Sequence, residues 1–288
     1  MKPRRSVLYL PGANERALEK AATLAADALV LDLEDAVAPE AKEAARRRVC
    51  ETVAAAPYGR REVAVRVNGI GTRWHEADVR AVAEAGPDAV VVPKVGSAED
   101  VRSVVEALAE AGAPEHTAVW AMIETPAAVL RAEEIANASE ALTVLVMGTN
   151  DLAKELRAEP GPGRAPLLTS LSLCLLAARA AGKSILDGVY NDVRDVAGFE
   201  AECVQARRFG FDGKSLIHPS QLEPCNRVFA PSEAEVEHAR RVVAAFTDAE
   251  ARGLGVVTVD GRMVENLHVE QARRVLALAE AMRAEGGH

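Results

Sequence analysis

Two acidic residues in one short stretch carry the clearest chemical signal in the sequence. Glu124 ends the apolar run VWAMI, and Asp151 comes shortly after the run LTVLVM. Between them, Thr125-Pro126 has the form of an N-cap followed by proline at the first helical position. Strand, helix, strand makes the two strands parallel neighbours and puts both carboxylates at their C-terminal ends. Open α/β sheets and α/β barrels place their chemistry at that edge. Two oxygen ligands there, beside the turn Gly148-Thr149-Asn150, suit a hard divalent ion that keeps waters and chelates a substrate. Mg²⁺ is the expected ion, with Mn²⁺ as the substitute.

Further charges fall at other expected strand ends: Asp32, Glu34, Asp35, Arg66 and Lys94. Arg66 can hold the carboxylate of an α-keto or α-hydroxy acid, or stabilise an enolate oxygen. It can equally form a structural pair with Glu34 or Asp35. Lys94 is open in the same way, and Asp35 can serve as a cap or a surface charge. His218 ends the last expected strand in Ile217-His218-Pro219, where a turn or a ligand contact would each explain it. Other signals fail. Gly-Lys-Ser occurs at 182–184 and 213–215, but Ala177 and Arg208 stand where a phosphate-binding loop needs glycine. No H-x-x-x-H spacing and no complete dinucleotide fingerprint occurs.

These residues need a scaffold, and the hydrophobic pattern supplies one. Apolar runs at Ser6–Leu10, Ala28–Leu33, Glu62–Val67, Asp88–Pro93, the two around Glu124 and Asp151, Ser184–Asp187 and Phe211–Leu216 alternate with helical segments. Eight strand–helix units predict an α/β fold, a (β/α)₈ TIM barrel over residues 1–230. The Pro/Gly segment 159–166 reads as a candidate lid. Residues 231–288 read as a C-terminal helical extension. It opens on a capping box at Ser232, breaks at Gly253–Gly255, runs through a loop VVTVDGRMVEN, and ends in a helix over Leu267–Met282. Such a tail must pack on its own barrel or on a neighbouring subunit.

Composition narrows the function. With 34 basic and 43 acidic residues the formal charge is −9, and aromatic residues make up 3%. Both argue against nucleic-acid binding. No stretch is long enough to span a membrane, and the first apolar run is too short for a signal peptide. Four scattered cysteines without a C-x-x-C pair indicate reduced thiols and a cytoplasmic location.

The segments RRSVLYLPGAN, LVLDLEDAV, VRVNGIGTRWHEAD, VVPKV, MIETP, GTNDLA, GFDGKSLIHPSQ and VDGRMVEN, in this order, resemble the citrate lyase β-subunit and malyl-CoA lyase family, of the HpcH/HpaI aldolase type. The resemblance implies a barrel binding Mg²⁺ through Glu124 and Asp151, with Gly148, Thr149 and Asn150 beside the substrate. It implies that Arg66 contacts the keto acid or the enolate, and that Arg5, Tyr9, Ile217, His218 and Pro219 lie where coenzyme A binds. It also implies a homotrimer or hexamer in which Glu265, on the C-terminal loop, reaches a neighbouring subunit's site as the proton-transfer group. Two positions depart from the family: Glu265 stands where aspartate is common, and Asn150 precedes Asp151 where many members carry glutamate. The expected activity is Mg²⁺-dependent carbon–carbon cleavage of a 3-hydroxyacyl-CoA such as malyl-, β-methylmalyl- or citramalyl-CoA. The products would be a 2-keto acid and an acyl-CoA. The alternatives are a malyl-CoA thioesterase and a citrate lyase β-like subunit acting on an acyl carrier partner.

Overall fold

The structure is a computed structural model and describes residues 2–251 and 255–286. Eight parallel strands close into a barrel in sequence order: β1 Ser6–Pro11, β2 Ala28–Asp32, β3 Glu62–Arg66, β4 Ala89–Val92, β5 Ala118–Ile123, β6 Leu142–Met147, β7 Ser184–Asp187 and β8 Gly213–Leu216, with β8 pairing back onto β1. The expected eight strands are all present, within a residue or two of their read boundaries. Helices cover the outside: α1 Glu15–Ala21, α2 Lys42–Ala55, α3 His75–Ala85, α4 Ala98–Glu110, α5 Pro126–Leu130, α6 Ala132–Ala136, α7 Thr149–Leu156, α8 Leu168–Ala180, α9 Val196–Phe209 and α10 Leu222–Phe229. Ser97 and Asp100 form a capping box that opens α4.

Because strand side chains alternate, parity decides which residues enter the barrel. Val7, Ala28, Val30, Ala64, Ala89, Val91, Trp120, Met122, Val144, Val146 and Leu186 make one buried cluster, with Tyr9 packed against it. The same parity carries inward to Asp32, Arg66, Glu124 and Gly148 at the C-terminal ends. Asp187 and Lys214 have the opposite parity. Each is fully buried, and they pair at 2.7 Å. Glu202 of α9 and Arg164 complete that outer cluster. Arg164 is 6% exposed and lies in the Pro/Gly segment read as a lid. Its guanidinium donates to Asp187 and Gln205, so this segment is pinned to the helix layer.

The chain forms two compact units, Arg4–Arg227 and a second built from Val228 onward together with Lys2 and Pro3. In the second, α11 Glu233–Ala251 and α12 Asn266–Gly286 enclose an apolar cluster that includes Val242, Phe246, Val259, Val264 and Val269. Ser232 and Glu235 make the expected capping box. The segment read as a loop is instead a hairpin, β9 Val257–Val259 paired with β10 Arg262–Val264. Its turn residues Asp260 and Gly261 both have positive φ, as a two-residue type I′ turn requires. The Asp-Gly pair was the sequence signal for it. Gly253 and its neighbours, where the break was expected, lie outside the described residues. No described helix is long and apolar enough to cross a membrane.

Candidate active site

A cavity of about 390 Å³ opens at the C-terminal ends of the strands, lined by Tyr9, Asp32, Asp35, Arg66, Met122, Glu124, Gly148–Asp151, Ser215 and Ile217 among others. The strands therefore bring together nearly every rim residue read from the sequence.

Asp32 is fully engaged. Its carboxylate receives Arg66 Nε and Nη2, each at 2.6 Å, and the backbone N–H groups of Glu34 and Ala36 at 2.9 and 3.1 Å. Four donors leave it little capacity for a metal, so its work is to orient Arg66. Glu34 takes Arg66 Nη1 at 3.1 Å and also pairs with the Lys94 ammonium. Asp35 is exposed, with its carboxylate 3.9 Å from Lys94. The Tyr9 ring lies 5.2 Å from the Arg66 guanidinium, and burial pushes its hydroxyl up to about 12, so it is a neutral donor at any working pH.

Glu124 differs from Asp32. Only 2% exposed, it accepts the backbone N–H of Lys94 at 2.6 Å. Lys94 adopts a left-handed conformation, φ 54°, unusual for a residue with a side chain and a form of strain that collects at functional sites. Burial, then the charges of Glu34 and Asp151, push the Glu124 carboxyl up to about 7, against the pull of Lys94. A buried carboxylate crowded by other carboxylates calls for a cation. Gly148 permits the crowding: a Cβ there would collide with the Glu124 side chain. Asp151 stands in the first turn of α7, and no side chain caps that helix. The donor set fits a hard divalent ion. No group of three or more His, Cys, Asp or Glu side chains gathers for a metal among the described residues, so Glu124 and Asp151 would leave the other positions to water and substrate.

The residues matched to coenzyme A divide. Tyr9 and Ile217 line the cavity. His218 caps the turn Pro219–Gln221: its Nδ1 accepts from the backbone N–H of Ser220 at 3.2 Å. Arg5 does not join them. It precedes β1, at the opposite rim, and its guanidinium and backbone N–H are bound to Asp27 at 2.6–2.8 Å. The expectation for Arg5 is corrected by strand direction. Glu265 belongs to the C-terminal unit, exposed between β10 and α12, with its backbone N–H donated to His268 Nδ1 at 3.0 Å.

One contributor escaped the sequence reading. Lys42 of α2 is buried, and its ammonium donates to the carbonyls of Leu33 and Glu34 at 3.0 and 2.9 Å. It sits over the Trp74 ring at 5.1 Å and holds the turn that presents Glu34. Its only sequence signal was a lysine on the apolar side of a charged helix.

Over 282 residues the chain is 54% identical to a (3S)-malyl-CoA thioesterase of Cereibacter sphaeroides strain KD131, covering 98% of this chain and 96% of the relative. It is 41% identical to the citrate lyase subunit beta of Escherichia coli K12, covering 96% and 93%. A solved structure of CitE from Mycobacterium tuberculosis, in complex with magnesium, acetoacetate and coenzyme A, matches with TM-score 0.77 and 32% identity over 96% of this chain and 98% of that one. The HpcH/HpaI aldolase/citrate lyase model matches residues 5–219. The chain belongs to the HpcH/HpaI aldolase/citrate lyase family, a family of enzymes.

Proposed function

We propose that this chain is a Mg²⁺-dependent enzyme of malyl-CoA-type 3-hydroxyacyl thioesters, and that it hydrolyses malyl-CoA to malate and coenzyme A. The observation that carries the metal-dependent reading is Glu124, a buried carboxyl raised to about 7 that faces further acidic charge at a cavity mouth. Magnesium in the Mycobacterium tuberculosis complex supports it. Glu124 and Asp151 would hold the ion, which when bound would polarise the oxygens of the substrate's acid end.

The protein's own groups account for the rest. The uncapped N-terminus of α7 offers the backbone N–H groups of Thr149 and Asn150 to the substrate carboxylate. Arg66, aligned by Asp32, stabilises the negative charge that develops on the thioester oxygen. That oxygen becomes anionic in thioester hydrolysis and in carbon–carbon cleavage alike, so one set of residues serves both. In hydrolysis Glu265 takes a proton from water as the oxygen attacks the carbonyl carbon. The carbon–sulfur bond then breaks, and the coenzyme A thiolate leaves and takes a proton. Tyr9, Ile217 and the His218-Pro219 turn border the coenzyme A path. Glu265 comes from a neighbouring subunit of a trimer or hexamer.

Thioester hydrolysis is placed first because the thioesterase relative is 54% identical across nearly the whole chain. Carbon–carbon cleavage to glyoxylate and acetyl-CoA is the second reading, favoured by the aldolase and citrate lyase description of the family. Mass spectrometry of products from purified protein, malyl-CoA and Mg²⁺, with an EDTA control, tests both. Malate and free coenzyme A, lost with EDTA, are expected; glyoxylate and acetyl-CoA would replace the first reading by the second.

A further inference from the structure

The turn that carries Asp151 has no cap of its own, so its position depends on what packs against it. On one side, Gly148 rests on Glu124. On the other comes the segment following β7. Gly188 abuts Thr149 so closely that a Cβ would strike its Oγ1 and Cγ2. Asn191 exchanges two hydrogen bonds with Asn150: Asn150 Nδ2 donates to Asn191 Oδ1 at 3.1 Å, and Asn191 Nδ2 donates to Asn150 Oδ1 at 2.8 Å. The segment is itself anchored. The carbonyl of Tyr190 accepts from Gln221 Nε2 at 2.9 Å, and its hydroxyl donates to Asp195 at 2.6 Å.

We propose that the loop after β7 braces the metal-binding turn, with Gly188 and Asn191 as positioning residues that hold Asp151 in place relative to Glu124. The proposal rests on the reading of Glu124 and Asp151 as the Mg²⁺ ligands. Groups that orient a ligand tune metal affinity without touching the ion. The brace also gives the Asn150 carboxamide a task. It is committed to Asn191, so Asn150 serves substrate through its backbone N–H while its side chain fixes the turn. The braced turn is a shared wall as well: Thr149, Asn150 and Val189 border both the active-site cavity and a neighbouring one of about 500 Å³.

Isothermal titration of Mg²⁺ into the full-length protein tests the brace, in wild type, Asn150→Ala, Asn191→Ala, Gly188→Ala and the Asn150→Ala/Asn191→Ala double variant. Loss of a ligand-orienting partner predicts a Kd for Mg²⁺ about 10-fold weaker in Asn191→Ala, and weaker still in Gly188→Ala. The double variant should match Asn150→Ala alone, since the pair can be lost only once. A merely structural role would leave the Kd for Mg²⁺ unchanged in these variants, and the non-additivity shows that the two side chains act as one pair. Should Gly188→Ala fail to fold, the exposed Asn191 position still decides. A wild-type protein that does not bind Mg²⁺ would overturn the metal reading itself. Wild-type binding with an unchanged Kd in Asn191→Ala, or additive effects in the double variant, would overturn the brace alone.

Discussion

The two rims of the barrel use the same residue types to opposite ends. Below the N-terminal ends of the strands, Arg4 pairs with Glu62 through two hydrogen bonds and stacks 5.4 Å from the Trp120 ring, and Arg5 pairs with Asp27. Two cations meet two carboxylates. At the C-terminal rim, Arg66 and Lys94 face Asp32, Glu34, Asp35, Glu124 and Asp151 around an open cavity. The named pairs of one rim balance within the fold, and the other rim keeps an excess of negative charge, which the proposed Mg²⁺ would offset. Ion pairs alone therefore do not mark a site; the uncompensated remainder does.

That contrast can be broken in four ways. The largest effect is on stability at the closed rim. Glu62→Gln leaves the Arg4 guanidinium without its counter-charge and should cost about 4 kcal/mol of unfolding free energy, while the Kd for Mg²⁺ stays as in wild type. Chemical denaturation and metal titration on one preparation check both halves. At the open rim, Glu124→Gln keeps the shape and removes the charge. Turnover of malyl-CoA should fall by about 3 kcal/mol of transition-state stabilisation, roughly a hundredfold, with no loss of stability. Third, Lys42→Met removes both donors to the Leu33–Glu34 turn and should lose about 2 kcal/mol together with part of kcat. An unchanged kcat would restrict Lys42 to a structural role.

The smallest effect is a pH dependence. The folded Glu124 carboxyl sits at about 7, above its ordinary 4.5, so folding favours the protonated form. Its contribution to stability is complete below about 4.5 and is lost as pH rises through 7. Metal bound to the ionised group reverses that loss, while protons compete with it at lower pH. The rise in Tm on adding Mg²⁺ should therefore be larger at pH 8 than at pH 6, by about 2 °C. Equal rises at both would mean that Glu124 does not titrate in this range.

Much of this was legible in the sequence because periodicity reports it directly. The expected strand ends placed Asp32, Arg66 and Glu124 on one rim from the sequence, and the strand parity seen in the structure turns them inward. Direction was legible too. A residue that precedes a strand of a parallel barrel lies at the rim away from the chemistry, which is where Arg5 meets Asp27. The matched motif had carried Arg5 along with its neighbours. What periodicity does not encode was missed. Lys42 acts from the helical layer on backbone carbonyls, and Asn191 meets Asn150 across 41 residues from a loop with no repeat. Arg164 pins a segment whose prolines and glycines suggested freedom, because one buried guanidinium outweighs local composition.

The most direct test of the central claim is Mg²⁺ binding to wild type and Glu124→Gln by isothermal titration at pH 8, without substrate. One site per chain in wild type, lost in Glu124→Gln while the variant melts normally, is the predicted result. Equal binding by both proteins would contradict the assignment of the open rim as the metal site.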